Sequence, residues 1–80
     1  MSENLEKYVN AFVETFDVSV KEASLLKYQA IEAWDSVGHM GLIAALESAF
    51  DIMMEPEDII DLSSFEKGKE ILSTKYNVEF

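Results

Sequence analysis

The chain has 80 residues and no cysteine, so it can bury only a modest core as one domain and can form neither a disulfide nor a thiolate metal site. Sixteen acidic against six basic side chains give a formal net charge of -10 at pH 7, which argues against nucleic acid or an anionic membrane as partner. No apolar run approaches the roughly 20 residues that span a bilayer, and the N-terminus lacks the pattern of a signal peptide, so we expect a cytoplasmic protein without membrane insertion.

The first predicted element is an amphipathic helix over residues 3 to 16. Apolar side chains recur there at helical spacing, which predicts that one face packs into a core. The members of this stripe are Leu5, Tyr8, Val9, Phe12, Val13 and Phe16.

The connection over residues 17–34 is long for a compact domain, and such loops are usually held by their own side chains or serve a function. Ser19 and Glu22 have the spacing of a capping box, which predicts at most one or two helical turns inside the connection. The apolar side chains that could attach it to the bundle are Leu25, Leu26, Tyr28 and Ile31. We expect Trp34 to be the exposed residue of this group.

A second helical pattern covers residues 36–50, and its side chains divide between two faces. The side chains predicted to point inward are Leu42, Leu46 and Phe50, with Ile43 and Ala49 beside them. A separate stripe of small or apolar residues starts next to Ser36 and consists of Val37, Gly41, Ala44 and Ser48. Glu47 is the only acid within this helix.

Two glycines in this helix, Gly38 and Gly41, each cost about 1 kcal/mol relative to alanine. Two explanations are open. The missing side chains either let a ligand or a partner backbone approach the helix, or they allow tight contact with the long connection.

The start of this helix is the strongest candidate for a site. Its backbone N–H groups lack intrahelical partners and carry the positive end of the macrodipole, so a phosphate ester on Ser36 would be stabilised there. Asp35 can cap the same N–H groups or help a modifying enzyme to hold a metal ion. The plain alternative is that Asp35 or Ser36 is only an N-cap. His39 lies near Ser36 on the helix, but nothing signals a third orienting group, so we expect a solvated surface histidine and no catalysis by this chain.

The last third of the chain predicts two more helices. Pro56, with Glu57 and Asp58 after it, favours the start of a short helix that contains Ile59, Ile60 and Leu62. A calcium loop is excluded because Pro56 stands where such a loop requires glycine. A capping box over residues 63–66 predicts a final helix that ends near residues 76–77. Its inward side chains are expected to be Phe65, Gly68, Ile71 and Leu72.

Residues 35–37, Asp-Ser-Val, precede an apolar helix that ends in Leu-Glu-Ser-Ala-Phe at residues 46–50. This combination resembles the acyl carrier protein family, whose signature is Asp-Ser-Leu before a helix that closes on Leu-Glu-x-x-Phe. The amphipathic helix and the long loop before these residues, and the short Pro-Glu-Asp helix after them, occur in the same order as in that family. The resemblance therefore covers nearly the whole chain. It implies one carrier domain over residues 1–80, an all-α bundle of three longer helices and one short helix.

The resemblance also implies a cofactor and partners. A phosphopantetheinyl transferase would attach 4'-phosphopantetheine from coenzyme A to Ser36, with Asp35 assisting. An acyl-activating ligase, acyltransferase or synthase of fatty-acid, polyketide or specialised acyl metabolism would then use the thioester, with the carrier as a monomer. Partners of the family read the stripe after the serine, here Val37, Gly41, Ala44 and Ser48 beside Glu47.

This stripe lacks the acids that fatty-acid carriers place along it. Acids are concentrated downstream instead, over residues 51–61, where no basic residue occurs. Such a run is usually a solvated face. The functional hypothesis is a shifted docking surface, in which Glu57 and Asp58 steer a basic partner. The departure of the stripe from the fatty-acid pattern favours a specialised pathway, and predicted helices that begin and end close to the ends of the sequence favour a discrete carrier.

Two other functions fit the same residues. An aminoacyl or peptidyl carrier would use the same serine and the same fold. A helical interaction module would use Ser36 as a plain cap and bind a partner protein through the stripe, without a prosthetic group.

Overall fold

The structure is a computed structural model that describes residues 2–80. Five α-helices lie within this range. They are Glu3–Phe16 (α1), Val20–Ala23 (α2), Ser36–Phe50 (α3), Pro56–Asp61 (α4) and Phe65–Lys75 (α5). The prediction of an all-α fold is confirmed. The fifth helix is α2, the single turn that the capping box of the long connection predicted. None of the five helices in residues 2–80 has the length and apolar character needed to span a membrane.

Helix boundaries follow local capping chemistry. The Ser2 side chain accepts a hydrogen bond from the Leu5 N–H at the start of α1. Both hydrogen bonds of the capping box between Ser19 and Glu22 are present in α2. The cap of α5 is Ser64, which accepts from the Lys67 N–H. The capping box predicted over residues 63–66 was therefore wrong, because the helix begins one residue later and Lys67 has no acceptor to complete a box.

The core lies between α1, α3 and α5. The buried side chains that these helices contribute include Tyr8, Val9, Phe12, Phe16, Leu42, Ile43, Leu46, Phe65, Ile71 and Leu72. The inward positions predicted for α3 are confirmed at 42, 43 and 46, whereas Ala49 and Phe50 are half-buried. Phe12 is at the centre, with ring contacts to Phe65 at 5.0 Å and to Trp34 at 5.6 Å between centroids.

Trp34 is fully buried, so the prediction that it is exposed was wrong. Its ring stacks on Phe16 with 5.1 Å between centroids. The connection folds back onto the bundle because its backbone pairs with the start of α5. The Tyr28 N–H donates to the Ser63 carbonyl oxygen, and the Leu26 carbonyl oxygen accepts from the Phe65 N–H. Burial of a large aromatic side chain in this way stabilises the connection and fixes the residues that lead into α3.

Candidate functional site

Asp35 and Ser36 divide two roles at the start of α3. Asp35 is the N-cap, since its Oδ1 accepts from the Gly38 N–H at 2.8 Å. Ser36 is the first residue of the helix and is exposed, and no hydrogen bond to its hydroxyl is formed within residues 2–80. Because Asp35 supplies the cap, the hydroxyl of Ser36 is not needed for it. The N-cap of α3 is therefore Asp35 and not Ser36.

An apolar groove adjoins Ser36, with a volume of about 370 Å³. It runs between the start of α3 and α4, and residues of two connections complete its lining. Its lining residues are Tyr28, Ser36, His39, Met40, Ile59, Ile60, Leu62 and Ser63. Cavities of this size hold small ligands when they are lined mainly by apolar side chains with a few polar groups. The groove was not predicted from the sequence, because its walls come from four separate segments.

His39 is half-buried and is not the solvated surface residue that we expected. Trp34 Nε1 donates to His39 Nδ1 at 2.9 Å, and His39 Nε2 lies 2.7 Å from the Ile59 carbonyl oxygen. Both ring nitrogens are therefore used away from Ser36. Neither ring nitrogen hydrogen-bonds to the Ser36 hydroxyl, so the geometry does not support His39 as a base acting on Ser36.

The stripe predicted on α3 lies on the surface. Val37 is 79% exposed, and Gly41, Ala44 and Ser48 are exposed as well. Glu47 differs, because it is half-buried and its Oε2 accepts from the Met54 N–H at 2.9 Å. Its carboxylate thus orders the connection between α3 and α4. The exposed surface of this stripe is small and apolar rather than acidic.

The two glycines of α3 have different surroundings. A Cβ on Gly38 would overlap the backbone carbonyl oxygen of Ala33 and would lie 3.3 Å from the Phe16 ring. Close contact with the long connection therefore explains Gly38. A Cβ on Gly41 would meet only Thr15 Cγ2, at 3.7 Å, which is an ordinary contact. Packing does not require glycine there, so approach of a partner remains the available explanation for Gly41.

The acidic segment also needs a correction, at Asp58. This residue is only 2% exposed, and its carboxylate accepts from Lys75 Nζ at 2.6 Å and from the Tyr76 hydroxyl at 2.7 Å. The hydrogen bond from Lys75 and, to a smaller extent, the one from Tyr76 hold the pKa of Asp58 below its usual range. Asp58 therefore attaches α4 to the end of α5 and is not available to a partner. Glu57 is exposed and keeps its predicted position on the surface.

Comparison of the chain with protein-family profiles, with curated proteins and with solved structures finds no match. A functional proposal for the protein therefore rests on the residues around Ser36, on the groove beside them, and on the resemblance of residues 35–50 to the carrier signature.

Proposed function

We propose that this protein is an acyl carrier, in which Ser36 bears a 4'-phosphopantetheine arm and presents acyl thioesters to partner enzymes. The observation that carries the proposal is the free, exposed hydroxyl of Ser36 at the first position of a 15-residue helix whose cap comes from the neighbouring residue. A serine in this position is accessible to a modifying enzyme, and no packing or capping role competes for its oxygen.

The start of α3 fits a phosphodiester on Ser36. The Asp35 carboxylate accepts a hydrogen bond from the Gly38 N–H, while the N–H groups of Ser36 and Val37 have no intrahelical acceptor. Together with the helix macrodipole they favour a negative group at this end. One carboxylate oxygen of Asp35 is left for a cation brought by the transferase. When bound, the arm supplies the thiol that this cysteine-free chain lacks.

The groove supports an apolar cargo. Met40 and Ile60 are 54% and 80% exposed and line the groove beside Ser36. Apolar walls of this kind stabilise a hydrocarbon chain by removing its surface from water. The ammonium group of an aminoacyl cargo would be costly to bury against these walls, so the groove favours the acyl carrier over the aminoacyl or peptidyl carrier.

The surface around the site supports docking to a basic enzyme. The exposed stripe from Val37 to Ser48 offers a small apolar contact area, and the net charge of -10 attracts a partner of opposite sign. Glu57 lies on the exposed side of α4. The chain itself then acts by tethering, which raises the effective concentration of the cargo at the partner's active site.

Intact mass spectrometry tests the proposal. The protein is incubated with coenzyme A and a broad-specificity phosphopantetheinyl transferase, and the wild type should gain the mass of one arm. Ser36→Ala should gain nothing, whereas Ser73→Ala, a matched change of an exposed helical serine in α5 and outside the stripe, should be modified like the wild type.

A folded wild type that stays unmodified under these conditions would contradict the proposal. That result would favour the helical interaction module, in which the exposed apolar stripe binds a partner without a prosthetic group. Once modification is established, candidate acids supplied with acyl-activating ligases identify the cargo by a further mass increase, and amino acids with their own ligases test the aminoacyl alternative.

A further inference from the structure

Three segments meet at His39, the only histidine in the sequence. Trp34 belongs to the long connection, His39 to α3 and Ile59 to α4, and the imidazole ring bonds to both of the others. The ring also lies nearly parallel to the Trp34 indole, with 15° between the planes and 6.2 Å between centroids. The histidine and Ile59 line the groove beside Ser36.

The hydrogen bonds determine the protonation state of His39. An indole N–H can only donate, so Nδ1 must accept with its lone pair. The Ile59 carbonyl oxygen can only accept, so Nε2 must carry the hydrogen. The ring is therefore neutral, with its proton on Nε2. Ile59 lies in the last turn of α4, where carbonyl oxygens lack an intrahelical donor, so the imidazole satisfies a group that α4 leaves open.

We propose that His39 is a pH-sensitive latch, which holds α4 against α3 when neutral and releases α4 when protonated, so that the groove beside Ser36 widens. The importance of this latch for an acyl cargo rests on the proposed function, but the opening itself is a property of the unmodified chain.

A proton on Nδ1 would place two N–H groups opposite each other. Trp34 is fully buried, so its indole N–H would lose its acceptor without gaining water. The ring has to rotate away, and the Ile59 carbonyl then loses its donor as well. Helix α4 stays attached to α5 through Asp58, Lys75 and Tyr76, so it moves relative to α3 without unfolding. The groove widens because Ile59, Ile60 and Leu62 form its α4 side.

The titratable groups around the ring do not offset this effect. From the connection, the Tyr28 ring stands edge-on to the imidazole, 5.4 Å away between centroids. Just before α3, Asp35 is used as the helix cap, and on α4, Asp58 is paired with Lys75. No carboxylate bonds to the imidazole within residues 2–80, so a proton on Nδ1 would find no acceptor.

Nuclear magnetic resonance on the full, unmodified chain tests the latch between about pH 8 and about pH 5, the range in which histidine ordinarily changes charge. The ring nitrogen shifts should report the Nε2–H tautomer at the upper end. After correction for intrinsic exchange rates, protection of the Trp34 indole N–H and of the α4 amides should fall at least about tenfold at the lower end, equal to about 1.4 kcal/mol. The amides of α5 serve as the internal reference. Binding of Nile red, a neutral apolar dye, should strengthen over the same range.

Two variants make the test specific. His39→Gln can accept and donate but does not titrate, so protection of α4 should become independent of pH. Trp34→Phe removes the opposed N–H and should flatten the same profile; if it fails to fold, His39→Gln alone decides. Unchanged protection in the wild type, or an unchanged pH profile in His39→Gln, would overturn the latch, and unchanged dye binding would overturn the widening of the groove. Because none of these measurements needs the arm on Ser36, their failure is distinct from a failure of modification.

Discussion

Alanine should stabilise the protein at Gly41 but not at Gly38, although both residues lie in α3, three positions apart. Each substitution gains about 1 kcal/mol of helix propensity. At Gly41 the new methyl group meets only Thr15 Cγ2 at 3.7 Å, so the gain is kept. At Gly38 it overlaps the Ala33 carbonyl oxygen, which belongs to the backbone and cannot rotate away. Overpacking of this kind costs about 1–3 kcal/mol and cancels or exceeds the gain.

The free energy of unfolding of the two variants should therefore differ by about 1–3 kcal/mol, with Gly38→Ala the less stable. In a domain of this size, 1 kcal/mol corresponds to about 4–8 °C in Tm. Urea titrations and thermal melts followed by circular dichroism, with wild type in parallel, measure both quantities. The wild type should lie between the variants or close to Gly38→Ala.

Equal stability of the two variants would refute the reasoning, because it would mean that the connection around Ala33 moves freely away from α3. A stabilised Gly41→Ala also allows a functional test. If a partner backbone packs closely against Gly41, this variant should be modified or loaded more slowly than the wild type while it melts at a higher temperature. Slow transfer without loss of stability would separate partner contact from folding.

Two further predictions concern the acids of α4. Asp58→Asn should lower stability at neutral pH. Hydrogen bonds from Lys75 and Tyr76 lower the pKa of Asp58 in the folded protein. The ionised carboxylate therefore stabilises the fold at any pH above its unfolded pKa, ordinarily 3.8, and this stabilisation is lost as the pH falls through the folded pKa. Urea titrations down to acidic pH should show a shallower loss in Asp58→Asn, and an identical profile would contradict this pairing. Glu57→Gln should slow association with the transferase in stopped-flow measurements, most at low salt, whereas Glu6→Gln, which removes the same charge from α1, should have a smaller effect; equal effects would mean that only net charge matters.

The location of Ser36 at the start of α3 gives the carrier proposal its physical basis. The same position combines an exposed hydroxyl, a separate cap and an apolar groove. The latch at His39 would link that groove to protonation, so the two proposals describe the same face of the molecule and can be tested independently.

Local signals in the sequence were sufficient to predict the helices and the position of Ser36 at the start of α3. The period of apolar residues, the capping serines and Pro56 act over at most a few neighbours, and they predicted α1, α2, α3 and α4 close to their observed bounds. The position of Ser36 at a helix start follows from the same local chemistry. The cap of α5 was misplaced by one residue, since Ser63 and Ser64 are both suitable caps and it is Ser64 that accepts from the Lys67 N–H.

The tertiary structure alone decided the partners of polar and aromatic side chains. His39 bonds to a carbonyl 20 positions away, and Asp58 bonds to side chains 17 and 18 positions away, so no local pattern marks either pair. The burial of Trp34 could not be predicted from the sequence, because it depends on how the long connection returns to the bundle. The groove has the same origin. The helices are determined by interactions between near neighbours, whereas burial and hydrogen-bond pairing depend on which distant segments the fold brings into contact.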